Sequence, residues 1–448
     1  MKRLGMWIIG GLLLIGAIGF LLKNFSGTGK PIVVGILHSQ TGPMEISEKS
    51  MIDAEVMALE EINAQGGLLG RKVEWVIADG RSDWQYYAQQ AERLIKEDHV
   101  AVIFGCWTSA SRKMVMPVVE ANNHLLMYPM AYEGLEQSPN IVYTGAAPNQ
   151  QIIPTVKWSY DTLKARKFFL VGSDYVWPRA VNAIVKDQLK ALGAELVGEE
   201  YIFFGSSDVD DVIAKIKAAK PDVILSAVVG ETNLPFYDHL RRAGIRPEQT
   251  PVISFSMAED ELRKMSKKDM VGNYSAWNYF QSIERKENQE FVKRFQKRYG
   301  ADRVTSDVIT AAYNSVLLWA QAVREAETDD IKTVRRFILR QSLNAPEGVV
   351  SVDPETQHTW RPVYIARIGS DGQFEIVWTS EKPVRPIPYP ISRSKSEWEQ
   401  FLNDMHKEWG GWANPKKSVS PLPGSTPAPA STPPATSTPP APTPAPAG

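Results

Sequence analysis

The stretch "PIVVGILHSQTGPMEISEKSMIDAEVMALEEINAQGG" (residues 31–67) decides how the chain is read. Its opening, "PIVVGIL" (31–37), is a short apolar run of the kind that becomes a buried strand. Further along, Ile52, Val56, Leu59 and Ile62 fall on one helical face, and Gly66-Gly67 end the helix. The same alternation continues through "KVEWVIAD" (strand, 72–79), a helix at 84–97, "VAVIFG" (strand, 100–105), a helix at 110–122 and "LLMYP" (strand, 125–129). Strand–helix–strand repetition implies a parallel sheet with helices on both faces. A second series begins after "GAAPNQQ" (145–151), with strands at 167–173, 194–202, 222–230 and 251–256 and helices at 179–192, 209–219 and 232–243. The stretches 286–300, 306–323 and 330–340 then read as helices, and 348–352, 361–368 and 373–380 as strands. The expected architecture is α/β: two doubly wound parallel-sheet lobes.

Composition narrows the function. The chain has 448 residues and a formal net charge of −1, so no basic field recommends nucleic acid as a partner. One cysteine, Cys106, excludes an internal disulfide framework, and no Cys/His cluster has metal-ligand spacing. The scattered histidines, His38, His124 and His358 among them, read as surface or loop residues. No metal or cofactor is expected.

The two ends differ from the middle. Lys2 and Arg3 precede an uncharged run of 19 residues, Leu4–Leu22, close to the length of a membrane-crossing helix. The positive start argues for an inside N-terminus and an exported remainder. An uncleaved signal anchor is preferred over a signal peptide, and no cysteine comes after the run for a lipoprotein anchor. Residues 1–30 are therefore assigned to this segment and a short linker. At the other end, residues 418–448 are Pro-rich, without a charged or aromatic residue, and read as an extended tail. Residues 396–417 form a C-terminal extension before it.

Ligands in open parallel sheets sit beyond the carboxyl ends of strands. Those ends carry Cys106, Trp107, Thr108 and Ser109, with Ser109 placed to cap the next helix. Later ends carry Tyr128, Met130, Ala131, Tyr132 and Glu133; Ser173, Asp174, Tyr175 and Trp177; Glu231; and Ser256 with Glu259. Aromatic walls with a few fixed polar groups describe a small-molecule site. A catalytic Cys106 needs a base within reach, and no histidine follows a strand in that region. Glu133 and Lys113 would be the helpers of a Cys-Glu-Lys amidase, but Cys106, directly after Gly105, reads as a small buried residue. "GGLLG" (66–70) lies at a helix end and is no phosphate loop.

Ten motifs in order carry a family resemblance. They include "TGPMEISE" (41–48), "ALEEINAQGGLLGRK" (58–72), "DGRSDW" (79–84), "FGCWTSASRK" (104–113), "YPMAYEG" (128–134), "GSDYVWPR" (172–179) and "APEGVVSVDP" (345–354). From about 31 to 395 the chain resembles the amide- and urea-binding branch of the periplasmic leucine/isoleucine/valine-type solute-binding proteins. The resemblance implies a type I periplasmic-binding-protein fold that closes by a hinge and delivers its ligand to an ABC importer permease. It implies three crossovers, near 145–151, 273–282 and 344–354. Lobe 1 would comprise about 31–145 plus 283–344, and lobe 2 about 151–273 plus 354–395. Carried over by motif, Trp107, Ser109, Tyr128, Met130 and Tyr132 would line the first lobe, and Tyr175, Trp177 and Glu231 the second. Glu231 would face the N–H groups of a urea or short amide as a buried acceptor. Ala131 and Glu231 depart from the usual residues of urea binders. The expected protein is no enzyme but a membrane-tethered, extracytoplasmic binder. Its alternatives are a branched-chain amino-acid binder, against which the bulk of Trp107 argues, and an amide sensor with a partner protein.

Overall fold

The computed structural model describes residues 29–415. The expected N-terminal anchor and the Pro-rich tail therefore lie outside the described residues. Among the described residues no helix is long and apolar enough to cross a membrane.

Two sheets organise the chain. The first contains β1 (Ile32–His38), β2 (Val73–Asp79), β3 (Ile103–Gly105), β4 (Leu126–Tyr128) and β5 (Ile141–Tyr143), in the order β2-β1-β3-β4-β5. Every pairing is parallel. Its central strands are almost wholly apolar because helices cover both faces, as a parallel sheet requires. The helices Glu45–Ala64 and Asp307–Ala326 pack against one another. The second sheet adds β6 (Lys167–Ser173), β7 (Glu195–Ile202), β8 (Val223–Ala227), β9 (Val252–Ser254) and β10 (Tyr274–Trp277). It is completed by β14 (Tyr364–Ile368) and β15 (Phe374–Thr379), in the order β15-β14-β10-β9-β8-β6-β7. Only β14 runs against the others, so its pairings with β10 and β15 are antiparallel. The α/β reading with parallel-sheet lobes holds.

Several elements differ from the sequence reading. β5 is absent from it, because three residues are too few to show a period. The helix expected at 330–340 is α-helical over Ile331–Phe337 and tightens to a 3₁₀ turn at Ile338–Arg340. Thr108, not Ser109, caps the helix Ser109–Ala121: its side chain accepts from the Ser111 N–H at 3.0 Å. The C-terminal extension contains a helix, Lys395–Trp409, entered by a Ser394–Glu397 capping box and closed by Gly410 at φ +66°.

The chain passes between the sheets three times, and the passages are stitched to one another. A small third sheet of β11 (Ser342–Ala345), β12 (Gly348–Val352) and β13 (Thr359–Trp360) forms part of the last passage. Asn278 Nδ2 donates to the carbonyls of Gln150 (3.0 Å) and Pro362 (2.6 Å), so one amide joins all three. Beside it, fully buried Arg361 donates to Asp307 (2.9 Å), Glu347 (2.8 Å) and the Thr144 carbonyl (3.3 Å). Removing one member of such a buried set leaves a charge without compensation. Arg361→Ala is expected to lower unfolding stability by about 3–5 kcal/mol, read from the shift of the denaturant midpoint; a loss below about 1 kcal/mol, on the order of a surface pair, would contradict it.

Candidate functional site

The carboxyl ends of both sheets face one cleft. On the first side the chain leaves β3 through Gly105, where a side chain would meet the Leu37 carbonyl at 2.2 Å, and turns at Cys106 with φ +65°. The Cys106 N–H is held by the Leu37 carbonyl at 3.0 Å. Its thiol is fully buried, and burial first, then the charge of Glu48, pushes its pKa well up. A thiol kept protonated in this way is a poor nucleophile; Cys106 is a floor residue.

Next to it sits a buried charge cluster. Glu133 accepts from Ser109 Oγ and from Arg112 Nη2 (2.9 Å). Arg112 Nε and Lys113 Nζ both reach Glu136, at 2.9 and 2.8 Å. Burial opposes the Glu136 charge, but Arg112 and Lys113 outweigh it and hold this carboxyl well below the usual range. The Arg112 guanidinium also lies over the rings of Tyr128 (4.8 Å) and Tyr132 (4.4 Å). The ions of this corner are thus spent on one another.

The sequence-predicted site residues separate into three groups. Trp107, Tyr175 and Trp177 are buried, and Trp107 Nε1, Trp177 Nε1 and the Tyr175 hydroxyl have no hydrogen-bond partner. Such orphaned groups are costly unless something pairs them. Ser109, Tyr128, Tyr132 and Ser256 are buried but engaged. Tyr128 donates to the Trp107 carbonyl at 2.8 Å, Ser256 to the Val228 carbonyl, and the Tyr132 hydroxyl meets His358 Nε2 and the Glu136 carbonyl. Tyr132 also stacks with Tyr143 and His358, so it braces the hinge. Met130 is buried, its backbone packed where a Gly145 side chain would be.

Glu231 forms the third group alone. It lies in the 3₁₀ turn Gly230–Thr232 with its side chain exposed, so the structure does not bring its carboxylate into the enclosed space. The turn is drawn to the rim instead by its backbone: the Glu231 N–H donates to the Pro43 carbonyl at 3.2 Å across the cleft. Gly230, at φ +61°, lets that approach happen, since a side chain there would meet the same carbonyl at 2.5 Å. Thr232 Oγ1 and Asn233 Oδ1, the next two residues, are buried and unpartnered.

Sequence reasoning missed Trp84 and Phe204. Their rings contact Tyr175 from opposite sides of the cleft, at 5.8 Å each, and one another at 5.1 Å. An aromatic directly after the strand–turn "DGRSDW" was the available signal. The histidine reading is also corrected: His38, His124 and His358 are all buried. Each has a partner that makes burial tolerable. His124 meets the Val100 carbonyl at 2.7 Å, and burial lowers its pKa; burial lowers that of His358 to about 4. His38 lies 3.0 Å from Glu55, and although burial opposes its charge, Glu55 and Glu48 raise its pKa to about 9.

The cleft is closed. Besides the Pro43–Glu231 bond, Ser47 Oγ donates to Glu261 at 2.5 Å and Ser50 Oγ to Asp260 at 2.8 Å, each joining the helix Glu45–Ala64 to the segment after β9. Ser306 holds the other Asp260 oxygen at 2.9 Å.

The sequence pattern of the periplasmic binding protein domain family matches residues 32–395. The chain belongs to that family. Its fold matches a solute-binding protein of an ABC transporter from Rhodopseudomonas palustris, solved with 3,4-dihydroxybenzoic acid, at a TM-score of 0.72 and 22% identity, covering 80% of this chain and 98% of that one. It also matches a branched-chain amino acid transporter substrate-binding protein from Streptococcus pneumoniae, solved with isoleucine, at a TM-score of 0.68 and 19% identity, over 80% of this chain and all of that one. Among curated proteins, a Leu/Ile/Val-binding protein of Rhizobium johnstonii is 25% identical over 199 residues, 43% of this chain and 53% of that protein. A Geobacillus stearothermophilus protein named limonene hydroxylase is 34% identical over 150 residues, 32% of this chain and 27% of that protein. The alignments thus span about a quarter to a half of these two curated relatives.

Two buried carboxyls at the closed seam lead to a testable pH dependence. Burial, then neighbouring Asp260, pushes the Glu261 carboxyl up to about 7. Burial raises Asp260 as well, against the bonds from Ser50 and Ser306 and the pull of Arg303 and Arg263. The groups that meet Glu261 are the Ser47 hydroxyl and the Ala258 N–H, neither of them a cation. A carboxyl raised on closing takes up a proton, so its contribution to the closed form is full below about pH 4.5 and is lost as pH rises through about 7. Small-angle scattering is expected to show a more compact chain at about pH 5 than at about pH 8, with Glu261→Gln flattening the difference; a wild-type profile independent of pH would contradict this.

Proposed function

We propose that the chain is an extracytoplasmic solute-binding protein that captures urea or a short-chain amide between two closing lobes and delivers it to an ABC-type importer. The lobes are residues 31–145 with 283–344 and residues 151–273 with 354–395, and the apolar N-terminal run is the tether to the membrane. One observation carries the ligand class. The charged groups at the cleft corner neutralise one another, while three indole N–H groups, of Trp84, Trp107 and Trp177, and the Tyr175 phenol stay unpaired among aromatic rings. A neutral carbonyl compound suits such a wall, because its oxygen accepts from the donors and no charge has to be desolvated. Its own N–H groups would find acceptors in Asn233 Oδ1 and Thr232 Oγ1.

A second reading, a branched-chain amino acid, draws support from the Leu/Ile/Val-binding relatives. It asks for an acid facing an ammonium group, and Glu231 sits exposed on the rim. Calorimetry with urea, formamide, acetamide and isoleucine separates the two. Urea or an amide is expected to bind, and Trp177→Phe, which keeps a ring but loses the N–H, is expected to weaken it about three- to tenfold, the worth of one hydrogen bond. Binding of isoleucine alone would move the protein to the second reading. Nothing is turned over in this proposal. Cys106→Ser is expected to leave affinity within about threefold, and ammonia release by the wild type that disappears in this variant would overturn the assignment as a binder.

A further inference from the structure

The family match ends at residue 395, yet the chain continues as an ordered segment that touches both sides of the cleft. Before the final helix, the Pro388 carbonyl accepts from the Leu135 N–H at 2.8 Å, one residue beyond Gly134 and two beyond site-corner Glu133. Gly134, at φ +70°, has no room for a side chain against that carbonyl. The segment then crosses to the other side. Arg393 forms a two-pronged pair with Asp187 of the helix Val176–Leu192, at 2.8 Å through each nitrogen. After Gly410 the chain turns back along the mouth of β6. The Val176 N–H donates to the Trp412 carbonyl at 2.9 Å, Ala413 bridges Tyr175, and Asn414 Nδ2 donates to Asp174 at 2.9 Å. Trp412 finally returns to the first side, its ring 4.6 Å from the ammonium of Lys113.

Apart from the Arg393–Asp187 pair, which ties the segment to the second side farther along the helix, these contacts fall on or beside residues that adjoin the cleft. Tyr175 and Val176 carry the loop with the unpaired phenol and lead directly to Trp177. Lys113 holds Glu136 and lies 3.9 Å from Glu133, which in turn holds Ser109. A ring over a nearly buried ammonium stabilises it electrostatically and shields it from water. We propose that residues 388–414 are a clasp that holds the two lobes together over the ligand site, and that Trp412 is a positioning residue acting through Lys113 and the Tyr175 backbone. The C-terminal extension then sets how much of the population is closed, and so how tightly any solute is held. The clasp takes from the proposed function only the statement that the cleft encloses a solute.

The test needs no solute, so its failure is distinct from a wrong ligand class. Two amides report the two parts of the idea: Val176, bonded to the clasp itself, and Glu231, bonded to Pro43 across the cleft and outside the clasp. Hydrogen exchange followed by mass spectrometry on the full chain would compare wild type with Trp412→Ala, Trp412→Tyr and a chain ending at Gly410. The clasp predicts that the alanine variant and the shortened chain exchange about tenfold faster at both amides, because cross-cleft opening becomes easier. It predicts that the tyrosine variant, which keeps a ring over Lys113, stays near wild type. Exchange at Glu231 that keeps its wild-type rate in the alanine variant or in the shortened chain would reduce the segment to a local surface contact and overturn the proposal. A tyrosine variant as fast as the alanine variant would overturn the role given to the ring.

Discussion

Everything in this molecule hangs on three strands of chain passing side by side between two sheets. Arg361 sets their spacing, buried between Asp307 and Glu347 and bonded to the Thr144 carbonyl. Asp307 opens the helix that packs on the first sheet, Glu347 belongs to the turn between β11 and β12, and Thr144 comes directly after β5. The guanidinium therefore touches passages of chain far apart in sequence, and Asn278 repeats the arrangement with backbone carbonyls. A cation this deep stays charged only because its partners lie within hydrogen-bond reach. Such a hinge is stiff against sliding and leaves rotation about the crossovers as the soft motion, the geometry of hinge closure.

The closed cleft shows what that rotation brings together. The contacts at its rim are made from the first turns of the helix Glu45–Ala64 and from the segments after β8 and β9, elements that belong to opposite sheets. They use backbone, hydroxyl and carboxyl groups, not apolar side chains. Hydroxyl–carboxylate bonds are exchanged for bonds to water at little net cost, which fits the opening and closing that the proposed function requires. The aromatic contacts of Trp84 and Phe204 with Tyr175 add apolar area to the same seam.

Within the cleft the division of labour is electrostatic. Arg112, Lys113, Glu133 and Glu136 form a closed ion cluster that fixes Ser109, Tyr132 and Tyr143, and so shapes the wall without presenting a net charge to it. The unpaired donors come from the aromatic residues instead, and the unpaired acceptors from Thr232 and Asn233. The ion cluster is also where the C-terminal segment attaches from outside, through Trp412 on Lys113.

The sequence by itself determined the fold class and most strand ends, because short apolar runs alternate with helical faces from residue 31 to residue 256 and leave one arrangement open to them. It also marked Trp107, Tyr175 and Trp177 as candidates, since residues just past a parallel strand adjoin the cleft. Only the tertiary structure decided which of the marked polar groups are free. Glu231 and Glu133 look alike as acids after a strand, yet one points to solvent and the other is locked to Arg112. A hydrogen-bond partner distant in sequence, Pro43 for one and the helix Ser109–Ala121 for the other, sets where each backbone and side chain ends. The buried histidines and β5 were illegible because a lone imidazole or three apolar residues carries no local period that reports burial. The final helix does show an apolar face, Trp398, Leu402 and Met405, but what that face and the segment around it pack against exists only once the two sheets have met.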